Sequence, residues 1–82
     1  MPTVMRLDGL RVVIYPNDHA PAHVHVIGPD VSAIFLLNCP DGPPSIRQVL
    51  GLKPCDAAWI IDALVIQLAH LCREWRSIHG NH

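Results

Sequence analysis

The sequence predicts an α+β fold in which a small antiparallel sheet of four or five strands packs against one long C-terminal helix. Short β-type runs fill the first half of the chain, an Asp-Gly pair separates the first two, and an unbroken helical pattern follows Pro54. The chain has 82 residues, half of them apolar and 16% charged. This length and composition predict one domain over residues 1–82.

The first two strands are predicted at Thr3–Leu7 and Leu10–Tyr15, as an N-terminal hairpin. The pair Asp8-Gly9 between them has the composition of a type I′ turn, in which both residues adopt positive φ angles. Because a two-residue turn fixes the register of the strands, we expect Arg6 to lie directly opposite Arg11.

Three more strands are predicted at His23–Ile27, Val31–Leu37 and Ser45–Leu50, separated by loops rich in proline and glycine. A single helix is then predicted from Pro54 to about Ile78. One apolar stripe along this helix is expected to pack on the sheet. It comprises Ala57, Ile60, Leu64, Leu68, Leu71, Trp75 and Ile78.

A second stripe on the same helix is formed by Trp59, Ala63, Ile66 and His70. A lone helix on a lone sheet would leave it largely in water, so we expect a second copy of the chain or another protein to cover it. The alternative is that Trp59 folds under a loop of the same domain, since isolated surface apolar residues are common.

Charge and cysteine content restrict the classes of function. The formal net charge is −1, which excludes a global basic field that would gather nucleic acid from a distance. Cys39, Cys55 and Cys72 are odd in number and widely spaced, a pattern that indicates reduced thiols in a cytoplasmic protein. The N-terminus lacks a secretory pattern and no apolar run is long enough for a membrane span, so no membrane association is expected.

Three histidines, His19, His23 and His25, fall within seven positions. Imidazole exchanges protons and binds metals near neutral pH, so this cluster is the candidate site. On a strand, His23 and His25 project from one face, and His19 precedes them in a loop. Together they provide either acid and base groups or three nitrogen ligands for zinc; in the structural alternative they only hydrogen-bond their neighbours. No organic cofactor is expected.

An arginine-rich face accompanies the histidines. Arg6, Arg11 and Tyr15 share one parity along the hairpin, and two opposed guanidinium groups are best tolerated where an anion lies between them. Combined with His19, His23 and His25, this face has the groups of a metal-independent ribonuclease. The alternative is that both arginines are simply solvated.

The first 37 residues resemble a known family in Met1-Pro2-Thr3-Val4-Met5-Arg6, Asp8-Gly9-Leu10-Arg11, Tyr15-Pro16-Asn17-Asp18-His19 and Pro21-Ala22-His23-Val24-His25-Val26. These segments are similar to the small bacterial proteins called domain of unknown function 4160. Ala22 stands where a second proline is usual, and Ile34 where a lysine is common.

The resemblance implies a short antiparallel sheet with a packed helix, and a second small protein, domain of unknown function 2442, encoded alongside as in toxin–antitoxin pairs. By position, the recurring residues of the family correspond in this chain to Arg6, Arg11, Asp18, His19, Pro21, His23 and His25. The leading hypothesis is therefore a toxin-like component that acts on RNA and is held inactive by a small antitoxin-like partner. The alternatives are a non-catalytic interaction module or homodimer that uses the second helix stripe, and a histidine-based metal-binding protein.

Overall fold

A computed structural model describes residues 3–79 of the chain. The five strands are β1 (Thr3–Leu7), β2 (Leu10–Val13), β3 (His23–Gly28), β4 (Val31–Leu36) and β5 (Ser45–Leu50), and the two helices are α1 (Pro54–Ile66) and α2 (Leu68–His79). The strands form one antiparallel sheet in chain order. The α+β class and the five-stranded sheet are thereby confirmed. Residues 1–2 and 80–82 of the expected domain lie outside the described residues.

The N-terminal hairpin has the predicted turn and register. Asp8 and Gly9 both adopt positive φ angles, of 47° and 88°, as a type I′ turn requires. This turn places Arg6 directly opposite Arg11 in the β1–β2 ladder. The two guanidinium groups therefore leave the sheet on the same face.

The sheet has one apolar face and one mixed face. Residues that lie opposite one another in register share a face, so Val26 groups with Val12 and Ala33, and these side chains are buried against the helices. On the other side, His25 groups with Val13 and Ile34. We call this second side the histidine face; it carries Arg6, Arg11, Val13, His23, His25 and Ile34.

The prediction of one long helix is wrong, because the chain bends by 76° between α1 and α2. At the break, the amide of Gln67 donates to the carbonyl of Leu64 at 3.1 Å, a tightened turn that interrupts the α-helical pattern. A straight helix of roughly 37 Å would exceed the 35 Å longest dimension of the molecule. With the bend, both halves pack on the same core.

The stripe predicted to pack on the sheet does so across the bend. Ala57, Ile60, Leu64, Leu68 and Leu71 are buried, and Trp75 and Ile78 are partly buried against the same core. Within residues 3–79, neither helix alone is long and apolar enough to cross a membrane, although the bent pair together passes on length and composition.

Cys39, in the loop after β4, and Cys72, on α2, form a disulfide with a Cα–Cα distance of 6.0 Å. The expectation of three reduced thiols is therefore wrong; Cys55 is free and exposed. The two partners are 33 residues apart, and only the fold brings the loop to the helix. Reduced thiols therefore no longer support the expectation of a cytoplasmic location.

Candidate functional site

Asp18, His23 and His25 bring one donor atom each to within 4.8 Å of one another. Both carboxylate oxygens of Asp18 lie 3.2 Å from Nε2 of His25, and Oδ2 lies 3.5 Å from Nε2 of His23. The side chains of His23, Asp18 and His25 are 8%, 13% and 21% exposed. Solvent therefore reaches this group, which we call the Asp-His cluster, at the carboxylate and at His25 more than at His23.

A tight turn aims the carboxylate of Asp18 at the histidines. The amide of Asp18 donates to the carbonyl of Tyr15 at 3.0 Å, and Oδ2 of Asp18 accepts from the amide of Tyr15, also at 3.0 Å. Pro16 follows Tyr15 at the turn position where proline is favoured. The main chain of the turn thus helps to hold the carboxylate in place beside the two histidines.

His23 is oriented by a main-chain carbonyl. Its Nδ1 lies 2.8 Å from the carbonyl oxygen of Pro21, and because a carbonyl oxygen only accepts, Nδ1 carries the proton. The other ring nitrogen, Nε2, faces Asp18. An unprotonated Nε2 would direct a lone pair at a carboxylate oxygen, which is unfavourable without a positive charge between them. The geometry is satisfied either by a second proton on the ring or by a metal ion.

Aromatic rings pack in a continuous row through the cluster. Tyr15 contacts His25 edge-on with 4.8 Å between ring centroids, and His25 contacts His23 at 5.2 Å. Trp75, from α2, lies 5.2 Å from His23 and stacks on His79 at 3.9 Å. These contacts fix the rings of both histidines and connect the site to the helix.

Two cavities adjoin the cluster, and Asp18, His19 and Ala20 line both of them. The first, of about 280 Å³, is completed by Asn17, His23, Ile34 and Arg47. The second, of about 380 Å³, is completed by Pro16, Trp75, Ile78 and His79. The exposed side chain of His19 therefore stands between the two spaces.

The residues predicted for the site are only partly brought together. His23 and His25 are adjacent and Tyr15 contacts His25, whereas His19 lines the cavities without belonging to the Asp-His cluster. Arg6 and Arg11 share the histidine face but line neither cavity.

Reasoning from the residue pattern gave no role in the cluster to Asp18, Arg47 or Trp75, and Asp18 entered only through the family resemblance. Asp18 could have been found, since it is the carboxylate nearest in sequence to the histidines. The positions of Arg47 and Trp75 depend on the tertiary fold.

The four residues of the predicted interaction stripe differ in their exposure and contacts. Ile66 and Trp59 are exposed, by 79% and 37%, and the indole of Trp59 donates to Asp56 at 3.3 Å. Ala63 packs partly against the core. His70 bonds to the carbonyl of Val4 at 3.2 Å and so ties α2 to β1.

Comparison with protein-family models matches residues 9–76 to the family described as domain of unknown function (DUF4160). The match includes the turn at Tyr15, the Asp-His cluster, the whole of β3 to β5 and most of the helical region. No curated protein and no solved structure matches this chain.

Proposed function

This chain belongs to the family described as domain of unknown function (DUF4160), and we propose that Asp18, His23 and His25 form a centre for a divalent transition metal such as zinc. The observation that carries the proposal is the convergence of two ring nitrogens and a carboxylate within 4.8 Å. Two imidazoles and one carboxylate make a common donor set for catalytic zinc, which keeps a further position open.

The two distances from the carboxylate suit a small metal ion, whereas the ring nitrogens of His23 and His25, within 4.8 Å of each other, would have to move closer to bind it together. Ligand atoms about 2.0–2.2 Å from a tetrahedral zinc lie roughly 3.3 Å from one another. The carboxylate of Asp18 is 3.2 Å from the ring nitrogen of His25 and 3.5 Å from that of His23. A zinc ion would also supply the positive charge that the opposed lone pairs of His23 and Asp18 require.

Hydrogen bonds around the cluster are those expected around metal ligands. Histidine ligands commonly donate their second ring nitrogen to a backbone carbonyl, and ligating carboxylates are themselves hydrogen-bonded. Here Nδ1 of His23 donates to Pro21, and the amide of Tyr15 donates to Asp18. The first cavity lies on Asp18 and His23 and is also lined by the exposed His19. A metal held by these ligands would supply the activation of a water molecule for hydrolysis, and His19 would serve as a proton carrier beside it.

Metal analysis of the purified chain tests the proposal. We expect one equivalent of zinc after loading and dialysis, and loss of retention in Asp18→Asn, His23→Ala and His25→Ala. His70→Ala is the matched control, because His70 bonds to the main chain of β1 outside the cluster. Equal zinc content in His23→Ala and His70→Ala would contradict a centre at the Asp-His cluster.

A second candidate function is the metal-independent cleavage of RNA by a toxin-like component that a small antitoxin-like partner inhibits. The pairing of Arg6 with Arg11 on the face that carries His25 favours it, since two guanidinium groups can hold a phosphate beside an imidazole. Expression of the chain alone should then slow bacterial growth and degrade RNA, and Arg6→Ala with Arg11→Ala should abolish both effects. Activity that survives a chelator would favour this candidate over the metal centre; unchanged growth and intact RNA would exclude it.

A further inference from the structure

Arg47, which lines the first cavity, lies at an irregularity in the β4–β5 ladder. Ile34 pairs with Gln48 and Phe35 pairs with Ile46, so Arg47 is an extra residue opposite no partner. Bulges of this kind are frequent beside functional sites. In this position, Arg47 lines the cavity together with His23 and Ile34.

No strand of the sheet carries a carboxylate that could pair with Arg47. The five strands contain three arginines and no aspartate or glutamate. Within residues 3–79 Arg47 forms no ion pair, and Asp18 is the carboxylate that lines its cavity. Asp18 already contacts both histidines and the amide of Tyr15. The exposed guanidinium of Arg47 therefore remains available to an anion.

We propose that the first cavity is a phosphate subsite in which Arg47 binds two phosphate oxygens, with His19 at its rim. This deepens the proposed function and rests on it, because a metal held by Asp18 and His23 would contact the same phosphate. The planar guanidinium matches two phosphate oxygens as a fork, which a lysine cannot do. The substrate class is accordingly a phosphate ester.

Calorimetric titration of the zinc-loaded and the metal-free protein tests the subsite, with inorganic phosphate and a dinucleoside monophosphate as probes. We expect Arg47→Ala to weaken binding at least tenfold and Arg47→Lys to have an intermediate effect. Arg73→Ala is the matched control, an exposed arginine on α2 that lines neither cavity. If inorganic phosphate binds more tightly than the dinucleoside monophosphate, the occupant is a terminal phosphate. If the dinucleoside monophosphate binds more tightly, the occupant is a nucleic-acid phosphodiester.

Equal affinities in Arg47→Ala and Arg73→Ala, or the absence of saturable binding in both forms of the protein, would overturn the subsite. The metal centre is judged separately, by zinc content in Asp18→Asn. If that variant keeps its zinc while Arg47→Ala still weakens phosphate binding to the metal-free protein, the metal proposal fails and the phosphate subsite stands.

Discussion

The indole of Trp75 lies against the imidazole of His23, with 5.2 Å between the ring centroids. One residue comes from the C-terminal helix and the other from the central strand of the sheet. The indole also stacks on His79, with 3.9 Å between the ring centroids. The ring of His23 is thus held by a helix side chain and, through Nδ1, by the carbonyl of Pro21.

Trp75→Ala is expected to weaken both the fold and the site. Truncation of a packed tryptophan costs about 3 kcal/mol in unfolding free energy, and the loosened ring of His23 should lower zinc affinity. Urea unfolding and a zinc competition titration measure the two effects. Trp59→Ala, at an exposed position on α1, should cost less than about 1 kcal/mol and leave zinc affinity unchanged. Equal losses in the two variants would show that the Trp75–His23 contact has no special role.

Reduction of the Cys39–Cys72 disulfide is expected to destabilise the protein. Opening a loop of 33 residues should cost about 3–4 kcal/mol in the chain-entropy description. Urea unfolding with and without a dithiol reductant measures the difference, and Cys39→Ser should remove the dependence on reductant. Cys55→Ser is the control, since Cys55 is free and exposed, and it should keep the wild-type response. Identical unfolding midpoints for wild type with and without reductant would contradict the prediction.

Zinc affinity is expected to fall as the pH is lowered from 7 to 5. Metal binding requires an unprotonated imidazole nitrogen, so protons and zinc compete for His23 and His25. Zinc binding releases protons, and acid therefore favours the metal-free form. We expect at least about a tenfold loss over this interval, measured with a chromophoric chelator that is calibrated at each pH. An affinity that is constant or rises towards pH 5 would argue against histidine ligands.

Self-association is expected to involve the exposed apolar side chains of α1. Ile66 is 79% exposed, and a homodimer would remove it from water together with Trp59. Sedimentation should then detect a dimer whose dissociation constant rises at least about tenfold in Ile66→Asp. Ser77→Asp, at an exposed polar position on α2, controls for the added charge. A wild-type chain that sediments as a monomer at high concentration would exclude this interface.

Local sequence was sufficient to predict the hairpin. Asp8-Gly9 carries its own backbone preference, so both the turn type and the Arg6–Arg11 pairing followed from neighbouring residues. The apolar stripe of the helices was also readable, because burial repeats with the helical period. The bend could not be predicted in this way, because Gln67 is neither glycine nor proline. The packing of both helices on one sheet favours the bend.

The candidate site was predictable only in part. His23 and His25 stand out by their spacing and share a strand, whereas the contribution of Asp18 depends on a turn that folds its carboxylate back over that strand. The place of Arg47 beside the first cavity depends on the pairing of β5 with β4, which the sequence alone does not show. The disulfide joins residues that only the tertiary structure makes neighbours.

The bond between His23 and the oxygen of Pro21 has a consequence for how this loop can change over evolution. Every amino acid carries that same oxygen, so replacement of the proline side chain removes no acceptor. Provided that the backbone path is kept, the ring continues to present the same nitrogen to Asp18. Substitutions at this position can thus change the exposed side chain while the imidazole keeps its tautomer.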